Sequence, residues 1–540
     1  MLLQAFDTDC FFINELSCKK NLTKVADKRQ IDYRTIETYR GIIYDRNGEI
    51  LAMSLPKKTL CINISKIYQP YINKELKLNK LLKTISLSKS KFNSIIRKNK
   101  NQKEYYLKRK LDNKKVEEIK KLNLPYIYFI DEYHRVYLGG EYFSNVIGFT
   151  DIDDNGQDGI ELAKNQHLQS IKGMKKIRKD NLGRSVELLD IVKEPKSGKN
   201  IYLSMDKRIQ FIGYKILKHH VNKTKADSAS LVLIRNKTGE IISMVNYPSF
   251  NPDNRKEMSG KKVQNLVTSS LFEPGSTIKP FTGYTALHTG SHDINDVINT
   301  SHGFKLTKNS KLLKDYKNLG FLTLEGVIEK SSNVGAAIIA KKTKKEYIHD
   351  TLQKLDFGNN LYIDLPGSQN GSLKNYQEWD QAMHGTLGYG YGLSTTLLHL
   401  ANAYTILANH GKKVELTYEK RSDNDFFTEQ ILDKDISKQI LKMMEKAVNT
   451  GTGQKAKLKN YSVAGKTGTA RINRGGDYSV FRHNAIFVGI TPASNPEYVA
   501  AIIIRNPKNG EAAGGKNAAP IFKEFMSHAL NLLEVYPDIK

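Results

Sequence analysis

Phe272-Glu-Pro-Gly-Ser-Thr-Ile-Lys-Pro280 sets a hydroxyl and an amine three residues apart, with a proline on either side. If a helix begins near Ser276, then Ser276 and Lys279 share one face. Pro280 agrees with that start. Deep in a helix it would cost ~3 kcal/mol or more, but one turn from the N-terminus the loss is smaller. A serine hydroxyl becomes a useful nucleophile only when a nearby base takes its proton. A lysine can be that base if desolvation or a second cation lowers its pKa from about 10.4. The positive end of the helix then favours the negative charge that develops. Ser17 to Lys20 and Ser88 to Lys91 repeat the Ser-x-x-Lys spacing in lysine-rich segments and read as solvated helix faces. The motif alone therefore decides nothing; its neighbours along the chain do.

Ser331-Ser-Asn333 follows 55 residues later, ahead of the apolar run Val334 to Ala340. A hydroxyl can relay a proton, and an amide can both donate to and accept from a peptide. The plainer reading is an N-cap for the next helix, where Ser and Asn are favoured. Gly465-Lys-Thr-Gly-Thr469 comes 133 residues beyond Asn333, counted to Lys466, inside a β-rich run. Lys466, Thr467 and Thr469 along a strand edge can bind a carboxylate while the edge backbone pairs with an extended peptide. Gly468 permits close approach of that backbone. A second Lys-Thr-Gly at 237–239 falls between two strand-like runs, where Thr-Gly is ordinary turn chemistry.

Around these motifs the C-terminal part reads as α+β, an antiparallel sheet with helices inserted and packed on its faces. Ser228 to Val245 reads as strand, turn, strand. Three further β-rich runs cover Tyr461 to Ile472, His483 to Thr491 and Tyr498 to Arg505. Helices are expected over Ile209 to Val221, through much of 276–410, over Ile436 to Thr450 and over Pro520 to Val535. The first ~200 residues read as mixed α/β. Tyr39 to Met53 alternates around Asn47-Gly48, a strong hairpin signal, and a lysine-rich helical zone spans Lys74 to Leu122. Glu194 to Asn200 has linker composition. Residues 1–200 and 201–540 are thus the two expected domains.

Composition closes off several classes. The 540 residues carry 84 basic and 56 acidic side chains, net +28, with 39% hydrophobic content. The chain is globular and long enough for about two to four domains. Three cysteines and scattered histidines build neither a disulfide framework nor a metal site. The excess charge is largely lysine: Tyr71 to Lys121 holds 17 basic and 5 acidic residues. RNA readers more often interleave arginine and aromatics, so a solvated lysine face is the better reading, with attraction to an anionic polymer or membrane surface second. No nucleic-acid partner is expected. No run of 18 apolar residues marks a membrane helix.

Ser-x-x-Lys, Ser-x-Asn and Lys-Thr-Gly, in that order in one domain, form the motif set of penicillin-binding proteins and class A β-lactamases. The chain resembles a class B penicillin-binding protein, most closely the division-specific (septal) peptidoglycan D,D-transpeptidases. The likeness runs from about Arg40 and includes Arg40 to Gly48, Gly159-Ile-Glu161, Gly388 to Leu393 and Ala513-Gly-Gly515. It implies a non-catalytic pedestal ahead of a transpeptidase domain, and acyl transfer without metal or cofactor. Ser276 would be the nucleophile, Lys279 its base and Ser331 the proton relay. The N–H groups of Ser276 and Thr469 would form the oxyanion hole. Asn333, Lys466, Thr467, Gly468 and Thr469 would bind the substrate. Peptidoglycan stem peptides and β-lactams are the implied ligands, with a membrane glycosyltransferase and other division proteins as partners. The family's location is the inner membrane, catalytic domain on the periplasmic side. Its anchor helix is not seen here, so a start placed too late or a trimmed chain is expected.

Four other readings compete. An elongation-specific transpeptidase shares all three motifs. A β-lactamase would need a water-activating glutamate, and Glu445 to Asn449 has the spacing but the wrong place. A β-lactam sensor would acylate without releasing D-alanine, and a nucleic-acid binder explains the charge alone.

Overall fold

The computed structural model describes residues 31–67, 74–100, 102, 104–179, 185–254, 256, 258, 260–422, 426–474 and 477–539. Ser17 and Lys20 lie outside the described residues. The C-terminal part is organised by one five-stranded sheet whose spatial order is Ile241–Tyr247, Ser228–Arg235, Tyr498–Arg505, Asp477–Thr491 and Ala464–Arg474. Every neighbouring pair is antiparallel. Ala464–Arg474 is therefore an edge strand, paired on one side only.

The sheet lies between two helical layers, and the sequence explains why. Along Ser228–Arg235, Leu231 and Leu233 enter one apolar cluster with Phe522 and Phe525. Val232 and Ile234 enter the other, with Phe281 and Tyr404. Strands buried on both faces read as unbroken apolar runs, here Leu231 to Ile234 and Ile502 to Ile504, and burying each such side chain stabilises by about 1.5–3 kcal/mol. Helices Lys207–Thr224 and Ala519–Leu532 cover the first face. Helix Leu397–Ala408, buried all round, and helix Lys279–His288 lie on the second.

The N-terminal part holds a sheet ordered Glu104–Leu111, Ile50–Asn63, Ile43–Tyr44, Ile201–Tyr202, with Ile127–Tyr137 also pairing with Ile50–Asn63. A three-stranded sheet joins Ile31–Ile36, Gly173–Lys179 and Ser185–Lys193. The hairpin at Asn47-Gly48 forms as expected, with Gly48 at φ 86°. Two expectations need correction. The lysine-rich zone is not wholly helical: between helices Lys89–Lys98 and Asn113–Lys120 runs the strand Glu104–Leu111. Its buried Leu107 and Leu111 are four apart, which suits a helix, because Arg109 between them turns its charge to Glu132 and Asp153 at 2.7 and 2.6 Å. The stretch 194–200 is not a loose linker either. Lys196 exchanges backbone hydrogen bonds with Ile171, and Gly198 N donates to Tyr39 O.

Arg40 and Glu161, far apart in the chain, meet in the core of this part. Glu161 accepts from Arg40 Nε at 2.6 Å and from Arg135 Nε at 2.7 Å, all three side chains being buried. The hairpin that follows Arg40 then reaches the C-terminal part. Asp45 accepts from Lys207 N and Asn47 donates to Asp206, the N-cap of helix Lys207–Thr224. Among the described residues no helix is long and apolar enough to cross a membrane.

Candidate active site

The first motif is built as a tight turn that runs into a helix. Gly275–Ile278 is a 3₁₀ turn, and the α-helix proper starts at Lys279 with Pro280 in its first turn. Ser276 is half-buried on the turn, whereas Lys279 is 1% exposed. The turn is braced from behind. Gly275 N donates to Gly390 O at 3.0 Å, and the Tyr404 hydroxyl donates to Thr277 O at 2.7 Å. A methyl group on Gly390 (φ 88°) would lie 2.0 Å from Gly275 O, so only glycine fits there. That contact accounts for the middle glycine of Gly388-Tyr-Gly-Tyr-Gly392.

In the second motif the three residues divide the work. Ser332 is the N-cap of helix Asn333–Lys342, its Oγ accepting from Gly335 N at 2.8 Å. The capping interpretation thus holds for the middle serine, which leaves Ser331 and Asn333 to face the cleft. Ser331 ends helix Leu324–Lys330 in the left-handed region, φ 59° and ψ 40°. A non-glycine residue held there is strained by about 1–3 kcal/mol, a cost found chiefly at functional sites. Asp315 stabilises the arrangement: its carboxylate accepts from Ser332 Oγ, from Asn333 N at 2.6 Å and from Val334 N at 3.2 Å.

Lys279 Nζ donates to Ser331 O at 2.6 Å and Asn333 Oδ1 at 2.7 Å, with Ser331 Oγ at 3.3 Å. Lys466 Nζ donates to the same Ser331 Oγ at 2.8 Å and to Thr467 O at 3.2 Å. Two lysines thus flank one hydroxyl. Burial, then the neighbouring Lys466 charge, holds Lys279 well below the ordinary lysine range, against a smaller opposite pull from Asp315. Burial brings Lys466 down to about 7. A neutral Lys279 has two N–H bonds and one lone pair. Ser331 O and Asn333 Oδ1 take the two N–H bonds, and the lone pair is left for a hydroxyl proton.

The third motif lies on the edge strand, against the turn that carries Ser276. A methyl on Gly468 would meet Thr277 Cγ2 at 2.9 Å and Pro274 O at 3.1 Å, so Gly468 lets strand and turn touch. Thr467 Oγ1 is 2.8 Å from Thr452 Oγ1. Thr469 Oγ1 accepts from Gly514 N at 3.1 Å, which leaves its own proton free to be donated elsewhere. Nothing in their sequence surroundings singles out Asp315 or Thr452. Gly514 lies in the Gly-Gly stretch noted from the sequence, and the turn contact gives it a physical reason: a methyl there would strike Gly468 O at 2.5 Å.

The competing motifs fall elsewhere. Ser88 caps helix Lys89–Lys98 by accepting from Lys91 N, and both residues are exposed. Lys237-Thr-Gly239 forms the turn between two strands, with Thr238 donating to Glu240. Glu445 sits in helix Lys434–Asn449, its carboxyl raised by burial and by the nearby Asp538 charge, and Asp538 is itself bonded to Ser462 and Ser494.

The sequence profile of the penicillin binding protein transpeptidase domain matches residues 229–527, and that of the penicillin-binding protein dimerisation domain matches 35–203. Peptidoglycan D,D-transpeptidase FtsI of Buchnera aphidicola subsp. Schizaphis graminum is 34% identical over 529 residues, 98% of this chain and 92% of that protein. Peptidoglycan D,D-transpeptidase FtsI of Escherichia coli K12 is 32% identical over 520 residues, covering 96% and 87%. Among solved structures, the TP domain of Burkholderia pseudomallei penicillin-binding protein 3 superposes with TM-score 0.58 at 33% identity, over 63% of this chain and 98% of that one.

Proposed function

This chain belongs to the penicillin-binding protein transpeptidases and is a serine-type peptidoglycan D,D-transpeptidase, and we infer that Ser276 is its nucleophile. The observation that carries the inference is the chain of hydrogen bonds from Lys279 through Ser331 to Lys466, in which burial favours the neutral form of both amines. Lys279 takes the Ser276 proton as the hydroxyl attacks the carbonyl of the penultimate D-alanine. Ser331 passes a proton to the departing D-alanine amine. The N–H groups of Ser276 and Thr469 bind the oxyanion, and losing one such donor costs ~10²–10³ in rate. Asn333 holds the substrate amide, while Lys466, Thr467 and Thr469 take the terminal carboxylate. Gly468 keeps the strand close to the turn. An amine from a neighbouring stem peptide then resolves the acyl-enzyme and forms the cross-link. A β-lactam enters by the same route and stays, because Glu445 stands beside Asp538 rather than poised to activate water.

The role we assign is septal, with residues 1–200 as the pedestal and 201–540 as the transpeptidase unit. The two FtsI relatives support the first, and the change from one sheet to the next between Tyr202 and Ser228 supports the second. By family likeness the enzyme works at the inner membrane, facing the periplasm, beside a membrane glycosyltransferase and other division proteins. Imaging of a tagged protein at midcell tests this, and a sidewall pattern would replace it with the elongation role.

The nucleophile is tested by fluorescent penicillin. Ser276→Ala abolishes labelling, whereas Ser88→Ala leaves it intact. Label retained by Ser276→Ala would end the assignment.

A further inference from the structure

Between the first two motifs, residues 298–322 fold as a flap. Ile298–Asn299 pairs antiparallel with Phe321–Leu322, and nearer the tip Phe304 and Leu313 exchange backbone hydrogen bonds at 2.9 Å. Phe304, Leu306, Leu313 and Leu319 pack inward, on the core that also holds Phe281 and Tyr404. Lys305, Lys308, Lys311, Lys314 and Lys317, three apart in the chain, are all exposed. The one acid between Thr300 and Leu324 is Asp315, and it is spent inward on Ser332 Oγ, Asn333 N and Val334 N. The outer face of the flap is left positive. Among the described residues none of its five lysines has a carboxylate partner, whereas Lys342 and Lys446 on neighbouring helices pair with Asp296 and Glu325. Lys330, exposed and next to Ser331, adds a sixth cation of the same kind.

The order of the reaction says which substrate meets this face. The donor peptide lies along the edge strand, its terminal carboxylate taken by Lys466, Thr467 and Thr469. The amine that resolves the acyl-enzyme enters where the D-alanine amine left, beside Ser331. Its nitrogen bonds to the acyl carbon, the ester bond to Ser276 Oγ breaks, and the proton it sheds ends on that oxygen. Lys330 adjoins Ser331 in the chain, and Lys314 adjoins the carboxylate that holds Asn333 N. Every uncross-linked stem peptide ends in a carboxylate, so a strand bearing several is a polyanion. We propose that the outer face of this flap docks the acceptor strand of peptidoglycan through the carboxylates of its stem peptides. The proposal rests on the transpeptidase reading and gives the second substrate a surface that the donor does not use. One exposed ion pair contributes little and is screened by salt. Several cations facing one multiply charged chain act together and raise its local concentration.

Competition for the acyl-enzyme tests it. A soluble donor peptide with a thioester in place of the scissile amide loads Ser276, and penicillin label counts active molecules in every protein. Two acceptors then compete with water. One is a soluble uncross-linked peptidoglycan strand bearing several stem peptides; the other is D-alaninamide, a small amine without a carboxylate. Lys308→Gln, Lys311→Gln, Lys314→Gln and Lys317→Gln together lower aminolysis by the strand about tenfold or more and leave aminolysis by D-alaninamide unchanged. The same four positions changed to Arg keep the wild-type preference, and added salt weakens the strand in wild type only. Strand aminolysis unaltered in the glutamine variant overturns the acceptor surface. An equal fall with both acceptors also overturns it, making the flap a support for Asp315. So does binding to phosphatidylglycerol vesicles that the glutamine variant loses with strand aminolysis unchanged, which would assign the lysines to a lipid surface. Absence of thiol release from the wild type overturns the transpeptidase reading itself.

Discussion

Lys279 works as a base only in the fraction of molecules where it is unprotonated, so its burial is a kinetic statement. Charging an amine inside the protein costs solvation, and the Lys466 ammonium adds repulsion. Acylation should therefore rise with pH as Lys279 loses its proton and level off well below pH 10. Lys279→Arg keeps the positive charge but cannot release its proton near neutrality. We expect penicillin acylation to fall by ~10²–10⁴, the usual worth of a positioned general base, and no rising limb to survive in the pH profile. An arginine variant that acylates within a factor of about three of wild type would remove Lys279 from that role. Lys466 carries a stability consequence of the same origin. Its folded pKa of about 7 lies below the unfolded lysine value, so the unfolded chain binds more protons between the two. Stability from this group is lost as pH falls through that window and is regained toward pH 10. Lys466→Met should lessen the rise in stability between pH 7 and pH 10 in chemical denaturation, with Lys279 supplying what remains, while also losing the carboxylate-binding cation. The lysines were legible as motif members from spacing alone. Which N–H bonds are occupied, and hence where the lone pair is left, depended on Ser331 and Asn333 arriving from 52 and 54 residues away.

Helix Asn333–Lys342 shows what spacing cannot convey. Ser331-Ser-Asn333 reads equally well as a cap or as catalytic groups, and the fold uses it as both by ending one helix at Ser331 before starting the next. The device that holds this junction, Asp315, comes from a lysine-rich loop with no motif around it, so no pattern marks it beforehand. Its carboxylate does two things at the element scale. It satisfies the first N–H groups of the helix, where an anion and a cap are each worth about 0.5–2 kcal/mol, and it pulls the Lys279 pKa upward. Asp315→Asn keeps an oxygen that can accept from Asn333 N and Val334 N but removes the charge. The acid limb of acylation should then move to lower pH with the fold nearly unchanged. Asp315→Ala should in addition lower the unfolding free energy by about 1–2 kcal/mol and slow acylation at every pH. An acid limb in Asp315→Asn that coincides with wild type would reduce Asp315 to a cap. The strand Glu104–Leu111 makes the complementary point. It read as helix because a salt-bridged arginine occupies the apolar face between Leu107 and Leu111. That partner set was visible only once Glu132 and Asp153 were in place.

Over the whole molecule, charge matters by where it is buried rather than by how much there is. The net +28 is a sum over the whole chain, and a pair such as Lys89–Glu75, with both side chains more than half exposed, contributes little. Arg40, Glu161 and Arg135 are the opposite case: three buried charges in one knot, tying the segment ahead of the Asn47-Gly48 hairpin to helix Gly159–Ala163 and strand Ile127–Tyr137. The sequence offered Arg40 and Glu161 as separate fragments of a resemblance, and only the fold reveals that one neutralises the other. Removing the single anion leaves two guanidinium groups in the core, and an unpaired buried charge costs about 3–5 kcal/mol. Glu161→Ala should therefore destabilise the N-terminal part by that amount, whereas Glu75→Ala should leave stability essentially unchanged. The Ser276 turn is braced by Gly390 and Tyr404, both in the C-terminal part, and draws no support from this knot. At moderate denaturant, the Glu161→Ala protein should be cut by protease within its first 200 residues while the rest still takes one penicillin per chain. If labelling and protease resistance are lost at the same denaturant concentration, the two parts unfold as one unit and the hairpin contacts through Asp45 and Asp206 bind them more tightly than the buried knot does.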